Sequence, residues 1–300
     1  MIAAAAVPLR FQVGARTLWS VQRRLLRVPL SLADALDGRV PPFPFVPSDA
    51  DGLLITSLPA EKADELLPRL GRAWIGFIRQ RYTRSFVDLR AGEAAWQTGL
   101  SANARQSLRR KRKRLAGVAG FEVRRFATPD QIAAFLPEAR ALSALTYQHR
   151  LLGAGLPNAP GFERELLARA AADEARGWLL RVGGSAIAYL LCTAEGDALR
   201  YDHVGHDPAW SGWSPGSVLQ AEVIRDLMDE RRFARFDFLE GDGRHKRQFA
   251  TGGVTCCDML LLRPTLANRA LLAALAGFDA ATNGAKRSGV LRRLAKVIGR

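Results

Sequence analysis

A chain of 300 residues that is 48% hydrophobic and 24% charged can bury one or two cores and is too apolar for a disordered tail. No apolar run of about 18 residues occurs, so no spanning helix is expected, and the start MIAAAAVPLR lacks the basic region of a secretory signal. Lys and Arg total 44 against 29 Asp and Glu, a formal net charge of +15, which favours anionic partners such as nucleic acid, an acidic membrane surface or a phosphorylated cofactor. Cys192, Cys256 and Cys257 are too few for a disulfide framework and fit a reducing compartment. His203 and His206 are three apart, but no further Cys or acidic residue completes a zinc spacing, so no metal is expected.

In chain order, 9–14 reads as a short strand and 17–36 as partly helical, interrupted by Pro29. The Pro-rich 41–47 is a connection. A strand over 52–59, a short helix over 61–70 and one or two strands over 74–89 complete an α/β half-domain. Residues 105–114 then hold seven cations: Arg105, Arg109, Arg110, Lys111, Arg112, Lys113 and Arg114. They form a helix over 101–115, capped by Ser101 or Asn103. This helix is either a solvated linker between two halves or a surface for phosphate or nucleic acid.

The alternating 121–126 reads as a strand. Thr128, Pro129 and Gln131 form a capping-box start for a helix running toward His149, with Pro137 as a kink or break. A second helix over 162–176 is stopped by Gly177. Strands at 178–182, 185–194 and 198–205 are joined by Gly183–Gly184 and Glu195–Gly196–Asp197, the mark of hairpins. The loop 206–217 leads to an amphipathic helix with Leu219, Val223, Ile224 and Leu227 on one side. Strands over 233–241 and 254–263 follow. The expected segments are 1–118, 119–263 and a basic amphipathic tail, 264–300, whose end over 287–300 could lie on an anionic membrane surface or pack on its own domain.

The piece that carries chemistry is strand 198–205, helix 216–231 and strand 234–239. This β-α-β crossover predicts parallel strands and a ligand site at their carboxyl ends, beside the helix start. Ser214, Gly216, Ser217 and Val218 are the candidates to hold phosphate oxygens through free N–H groups. His203 is a candidate proton shuttle, or a structural histidine, with Tyr201 on its face and Asp202 opposite. Asp237, between Phe236 and Phe238, either binds a substrate amine or serves a structural partner. Asp242 lies at the strand's carboxyl end, and His149 is a candidate for the acceptor cleft.

Three pieces together carry a resemblance: LSANARQSLRRKRKRL (100–115), HDPAWSGWSPGSVLQAEVIRDL (206–227) and FDFLEGDGRHKRQFATG (236–252). Residues 100–250 resemble the CelD/BcsL-type, BioF-like branch of the GNAT acyltransferases, which is related to the FemABX peptidyltransferases. The last piece matches through Asp237, Gly241–Asp242, Lys246 and Phe249, while Trp213 and Pro215 stand where a Gly-rich phosphate loop is typical. The resemblance implies an α/β (α+β) GNAT fold with a mixed sheet, preceded by a partial second GNAT-like half. It implies a bacterial, cytoplasmic N-acyltransferase that moves an acetyl or other acyl group from acetyl-CoA or acyl-CoA to an amine, and a tail 287–300 lying on anionic lipid would place it peripherally at the inner membrane face. The acceptor would be a sugar, lipid or cell-envelope precursor. By the same resemblance Lys246 stabilises negative charge on the donor or the reacting carbonyl. The alternatives are a Fem-like aminoacyltransferase using aminoacyl-tRNA, and a non-catalytic module binding nucleic acid or a membrane surface.

Overall fold

The computed structural model describes residues 3–13, 16–40, 42–146, 155–241 and 243–287. The chain forms two compact units, Met1–Arg81 with Thr255–Arg300, and Tyr82–Val254. These divide the chain differently from the expected 1–118, 119–263 and 264–300. The basic helix belongs with the second unit because its Leu108 and Leu115 are buried in the same core as Trp96, Val218 and Leu219.

The first unit carries a mixed sheet in the order β1 (Ala5–Val13), β2 (Arg16–Pro29), β3 (Gly52–Pro59), β10 (Gly252–Leu262). β1–β2 and β3–β10 are antiparallel and β2–β3 is parallel. Helix α1 (Leu32–Leu36) lies between β2 and β3 in the chain, and α2 (Ala60–Leu66) follows β3. Helix α9 (Leu266–Arg287) packs Leu271, Leu272 and Leu275 against Val7, Leu9 and Phe11. Of the partly helical 17–36 that was expected, residues 17–29 are strand and Leu32–Leu36 is helix. Pairing with β1 decides this, since Leu25 and Leu26 bury on opposite faces of the strand.

The second unit carries the end of β4 (Ile75–Asp88), then β9 (Arg235–Asp237), β8 (Ala198–His206), β7 (Ser185–Glu195), β6 (Ala175–Val182) and β5 (Glu122–Phe126). Only β8–β9 is parallel among these pairs. Helices α3 (Gly92–Gly99), α4 (Ala102–Ala116) and α7 (Pro215–Glu230) share one core, and α5 (Pro129–Leu145) and α6 (Pro160–Ala171) share another. A short α8 (Arg244–Phe249) follows β9.

Local chemistry explains several boundaries. Ser101, not Asn103, caps α4, accepting from the Ala104 N–H. Thr128 and Gln131 form the reciprocal capping box of α5, which continues through Pro137 without a break. Gly183 and Gly184 both have positive φ, as a tight hairpin with matched twist demands. Helix α6 does not end at Gly177, which lies inside β6. A Cβ there would stand 3.1 Å from the Phe135 ring, so the glycine serves close helix–strand packing.

Candidate active site

Strand β8 pairs with β9 only at Ala198–Arg235, Leu199–Phe236 and Arg200–Asp237. Beyond that point the two strands follow different neighbours. β8 stays on β7 as far as His206, opposite Ala188. The chain after β9 stays with β4, where the Phe238 N–H donates to the Ser85 carbonyl at 3.1 Å. A wedge opens between β8 and β9 at their carboxyl ends, where parallel strands with a crossover helix form ligand sites.

Helix α7 begins beside this wedge. A turn of 3-10 helix, Pro208–Trp213, leads to Ser214 in the left-handed region, φ 54 and ψ 49, with no side-chain cap. A non-glycine residue held there carries backbone strain. The Ser217 and Val218 N–H groups both donate to the Ser214 carbonyl. The expected cradle of three free amides is thus reduced to the Gly216 N–H, since Pro215 has none. Ser214 and Ser217 are half-buried, and Val218 is buried in the core.

A bulge changes the faces of β8. Leu191 opposes His203 while its neighbour Cys192 opposes Tyr201, so Asp202 is the extra residue. Its carboxylate accepts from the Thr193 N–H (2.8 Å) and hydroxyl (2.6 Å) and pairs with Arg200 at 3.3 Å. Tyr201 and His203 consequently look to opposite faces, contrary to simple alternation. Tyr201 packs on Phe236 and Phe238, each with ring centroids 5.9 Å away. His203 meets Phe162 of α6 edge-on at 5.8 Å. Burial pushes the Tyr201 phenol up and the His203 imidazole down, the latter opposed by the Asp202 charge.

His206 ends β8 beside the start of α7. Its Nε2 lies 3.2 Å from Ser211 Oγ, and its Nδ1 lies 3.8 Å from where a Cβ on Gly216 would stand. Burial lowers this imidazole as well. Sequence reading weighed His206 only as a metal ligand. The available signal was its place at the strand's end, just before the small-residue loop.

Asp237 is wholly enclosed, at 0% exposure, and faces Arg84 of β4, at 3%. Arg84 Nη2 donates to Oδ2 at 2.5 Å and Nε lies 3.2 Å from both carboxylate oxygens. The Leu239 N–H donates to Oδ1 at 2.8 Å. Of the two roles expected for Asp237, the pair with Arg84 favours the structural partner over the substrate amine. Arg84 is 153 positions away in sequence, and no local pattern pointed to it. Leu239 follows at φ 58, another strained residue at the rim of the wedge.

Lys246, from α8, donates to the Glu240 carbonyl. Burial lowers its ammonium, opposed by Asp237 and Glu240. The basic helix α4 flanks the α7 start. The Arg114 guanidinium lies 3.8 Å from the centroid of the Trp213 ring and donates to the Gly212 carbonyl, and Arg112 pairs with Glu222. Arg109, Arg110 and Lys113 are exposed. Asp242, His149 and, apart from Arg287, the 287–300 segment lie outside the described residues.

Residues 102–247 match the family model described as the acetyltransferase (GNAT) domain. Over this segment the chain is similar to the GNAT acetyltransferases, which supports an acyltransferase. No curated protein matches the chain. Among solved structures, the chain is similar to the C-terminal domain of a putative lysylphosphatidylglycerol synthetase from Agrobacterium fabrum. The TM-score is 0.52 at 14% identity, covering 77% of this chain and 73% of that one. It is also similar to FemX, with a TM-score of 0.53 at 10% identity, covering 90% of each. At such identities the likeness is one of fold. The wedge, the α7 start and Lys246 are carried by the matched segment, whereas Arg84 lies outside it. No helix among the described residues is long and apolar enough to cross a membrane.

Proposed function

We propose that this protein transfers an acyl group from a coenzyme A thioester to an amine on a sugar, lipid or bacterial cell-envelope precursor, as the CelD/BcsL, BioF-like resemblance implies. The parting of β8 and β9 beside the unbonded Gly216 N–H carries this reading. The donor is a substrate, and the residues present suit one. The wedge admits an extended arm, and Gly216 with the Ser214 and Ser217 hydroxyls offers donors to phosphate at a helix start.

The reaction needs an attacking amine without its proton, a polarised carbonyl and a protonated leaving group. The amine nitrogen forms the new C–N bond as the C–S bond breaks. Neutral imidazoles, kept so by burial at His203 and His206, are suited to take the amine's proton. The Lys246 ammonium opposes charge developing on the carbonyl oxygen, and the Tyr201 phenol, held protonated by burial, can donate to the departing sulfur. Asp242 and His149 remain candidates to line the acceptor side. Isothermal titration with acetyl-CoA tests the donor: saturable binding is expected, and no binding of any acyl-CoA or of coenzyme A overturns it.

A second reading, aminoacyl transfer from tRNA, is favoured by exposed Arg109, Arg110 and Lys113 on the helix that flanks the α7 start and by the FemABX resemblance. Transfer that requires aminoacyl-tRNA and ignores thioesters would establish it. We also propose a cytoplasmic site of action at the inner membrane face, with 287–300 against anionic lipid. Retention on anionic vesicles that is lost when 287–300 is removed is the expected result.

A further inference from the structure

We infer that Gln220 reads the arm of the acyl donor, its carboxamide hydrogen-bonding a secondary amide of a pantetheine-type thioester lying in the β8–β9 wedge. This rests on the coenzyme A reading above and adds a residue that determines donor class.

Gln220 is a polar residue on the apolar stripe of α7, on the same side as Val223, Ile224 and Leu227, and is only 3% exposed. Among the described residues its Nε2 is buried without a hydrogen-bond partner. Folded proteins leave few such groups, because a buried amide without a partner keeps its full desolvation cost. The rest of the stripe is filled by Val, Ile and Leu, so an apolar side chain would suit packing alone.

Position gives this amide a direction. Gln220 is one turn after Gly216, so the two share a helix face. Side chains on a helix lean toward its start, which aims the Gln220 side chain toward the Gly216 end of α7. A Cβ at Gly216 would have only His206 Nδ1 within 4 Å, at 3.8 Å. The helix start is therefore open on the side that faces the end of β8. Two polar groups meet there, the Gly216 N–H and the His206 ring, with the Gln220 carboxamide one turn along the same helix face. Tyr201, Phe236 and Phe238 supply the apolar wall beside them.

A secondary amide presents one N–H and one C=O, the complement of the two halves of a carboxamide. An aliphatic arm bearing such amides suits an apolar wedge with a single buried amide. An aminoacyl ester on ribose has no secondary amide in that place. Phosphate is left to Gly216 and the first-turn hydroxyls.

The test compares wild type with Gln220→Leu, using acetyl-CoA and acetyl-pantetheine, which lacks the diphosphate. Loss of one hydrogen bond should weaken both thioesters by about tenfold, while thermal stability does not fall, since an unsatisfied amide has been removed. Gln220→Met serves if the Leu variant does not fold. Unchanged affinity for both thioesters with lowered stability means Gln220 serves only the fold or a buried water, and overturns the inference. Weakening confined to acetyl-CoA means it acts through the phosphates, and overturns it equally. If wild type binds neither thioester, the donor reading itself falls, and the inference with it.

Discussion

Along its β7 side, strand β8 keeps its partner from Ala198 to His206; along its β9 side it loses it after Arg200. The β7 side absorbs a bulge at Asp202 and remains bonded, because the Asp202 carboxylate takes up the Thr193 N–H and hydroxyl. The β9 side is not patched in this way. Its strand ends at Asp237, anchored to Arg84, and the chain turns away through a strained Leu239. Backbone polar groups inside a fold are normally paired. A strand that gives up its neighbour in the middle of a sheet leaves room that a ligand can use. On the proposed function, one side of β8 serves to fasten the sheet and the other to bind the donor.

The largest effect should come from cutting the anchor of the β9 side. Arg84→Met leaves the Asp237 carboxylate enclosed without its counter-charge, and should lower unfolding free energy by about 3–5 kcal/mol in denaturant titrations. A loss below 1 kcal/mol would mean that the pair does not hold β9 in place. Lys246→Ala should instead spare stability and lower kcat about 100-fold, the scale of a lost electrostatic stabiliser. Equal turnover in a folded variant removes Lys246 from the chemistry.

The pH dependence separates the two histidine faces. Burial lowers His203 and His206, so each gives up its proton more readily than a free imidazole. The acid limb of kcat/KM should have its midpoint below the ordinary imidazole value of about 6.5. His206→Gln moves or abolishes that limb if the wedge side supplies the base, and His203→Gln does so if the opposite face does. The linkage runs the same way. The folded pKa is below the unfolded one, so the stabilising contribution is complete above the unfolded value and is lost as pH falls through the folded value.

Removing the α5 cap with Thr128→Ala should cost about 1 kcal/mol and leave kinetics untouched, since the cap belongs to the β5–α5 connection. The smallest effect on stability, within about 0.5 kcal/mol, is expected for neutralising exposed Arg109, Arg110 and Lys113 together. The affinity of an anionic donor should nevertheless fall and become less salt-sensitive, which binding measured at two ionic strengths will reveal.

Much of the second unit was legible because its signals are local. The Thr128 capping box, the Gly183–Gly184 hairpin and the β-α-β unit around α7 each depend on residues within a few positions or on one helix's own period. The readings that the structure changed depend on partners outside the segment itself. Residues 17–29 became strand through pairing with β1, and Gly177 is set by the Phe135 ring, so its reading as a helix stop failed.

The candidate site divides along the same line. Sequence by itself determined that a small-residue loop, a helix and a short acidic strand stand in the right order, and that Lys246 follows them. Only tertiary structure decided which groups are free to act. It tied Asp237 to Arg84, tied the Ser217 and Val218 amides to Ser214, turned His203 from Tyr201 through the Asp202 bulge, and brought His206 beside Gly216. Propensity and capping are short-range and can be read along the chain. Hydrogen-bond commitment and desolvation depend on partners brought from far away, and become readable only when the sheet has formed.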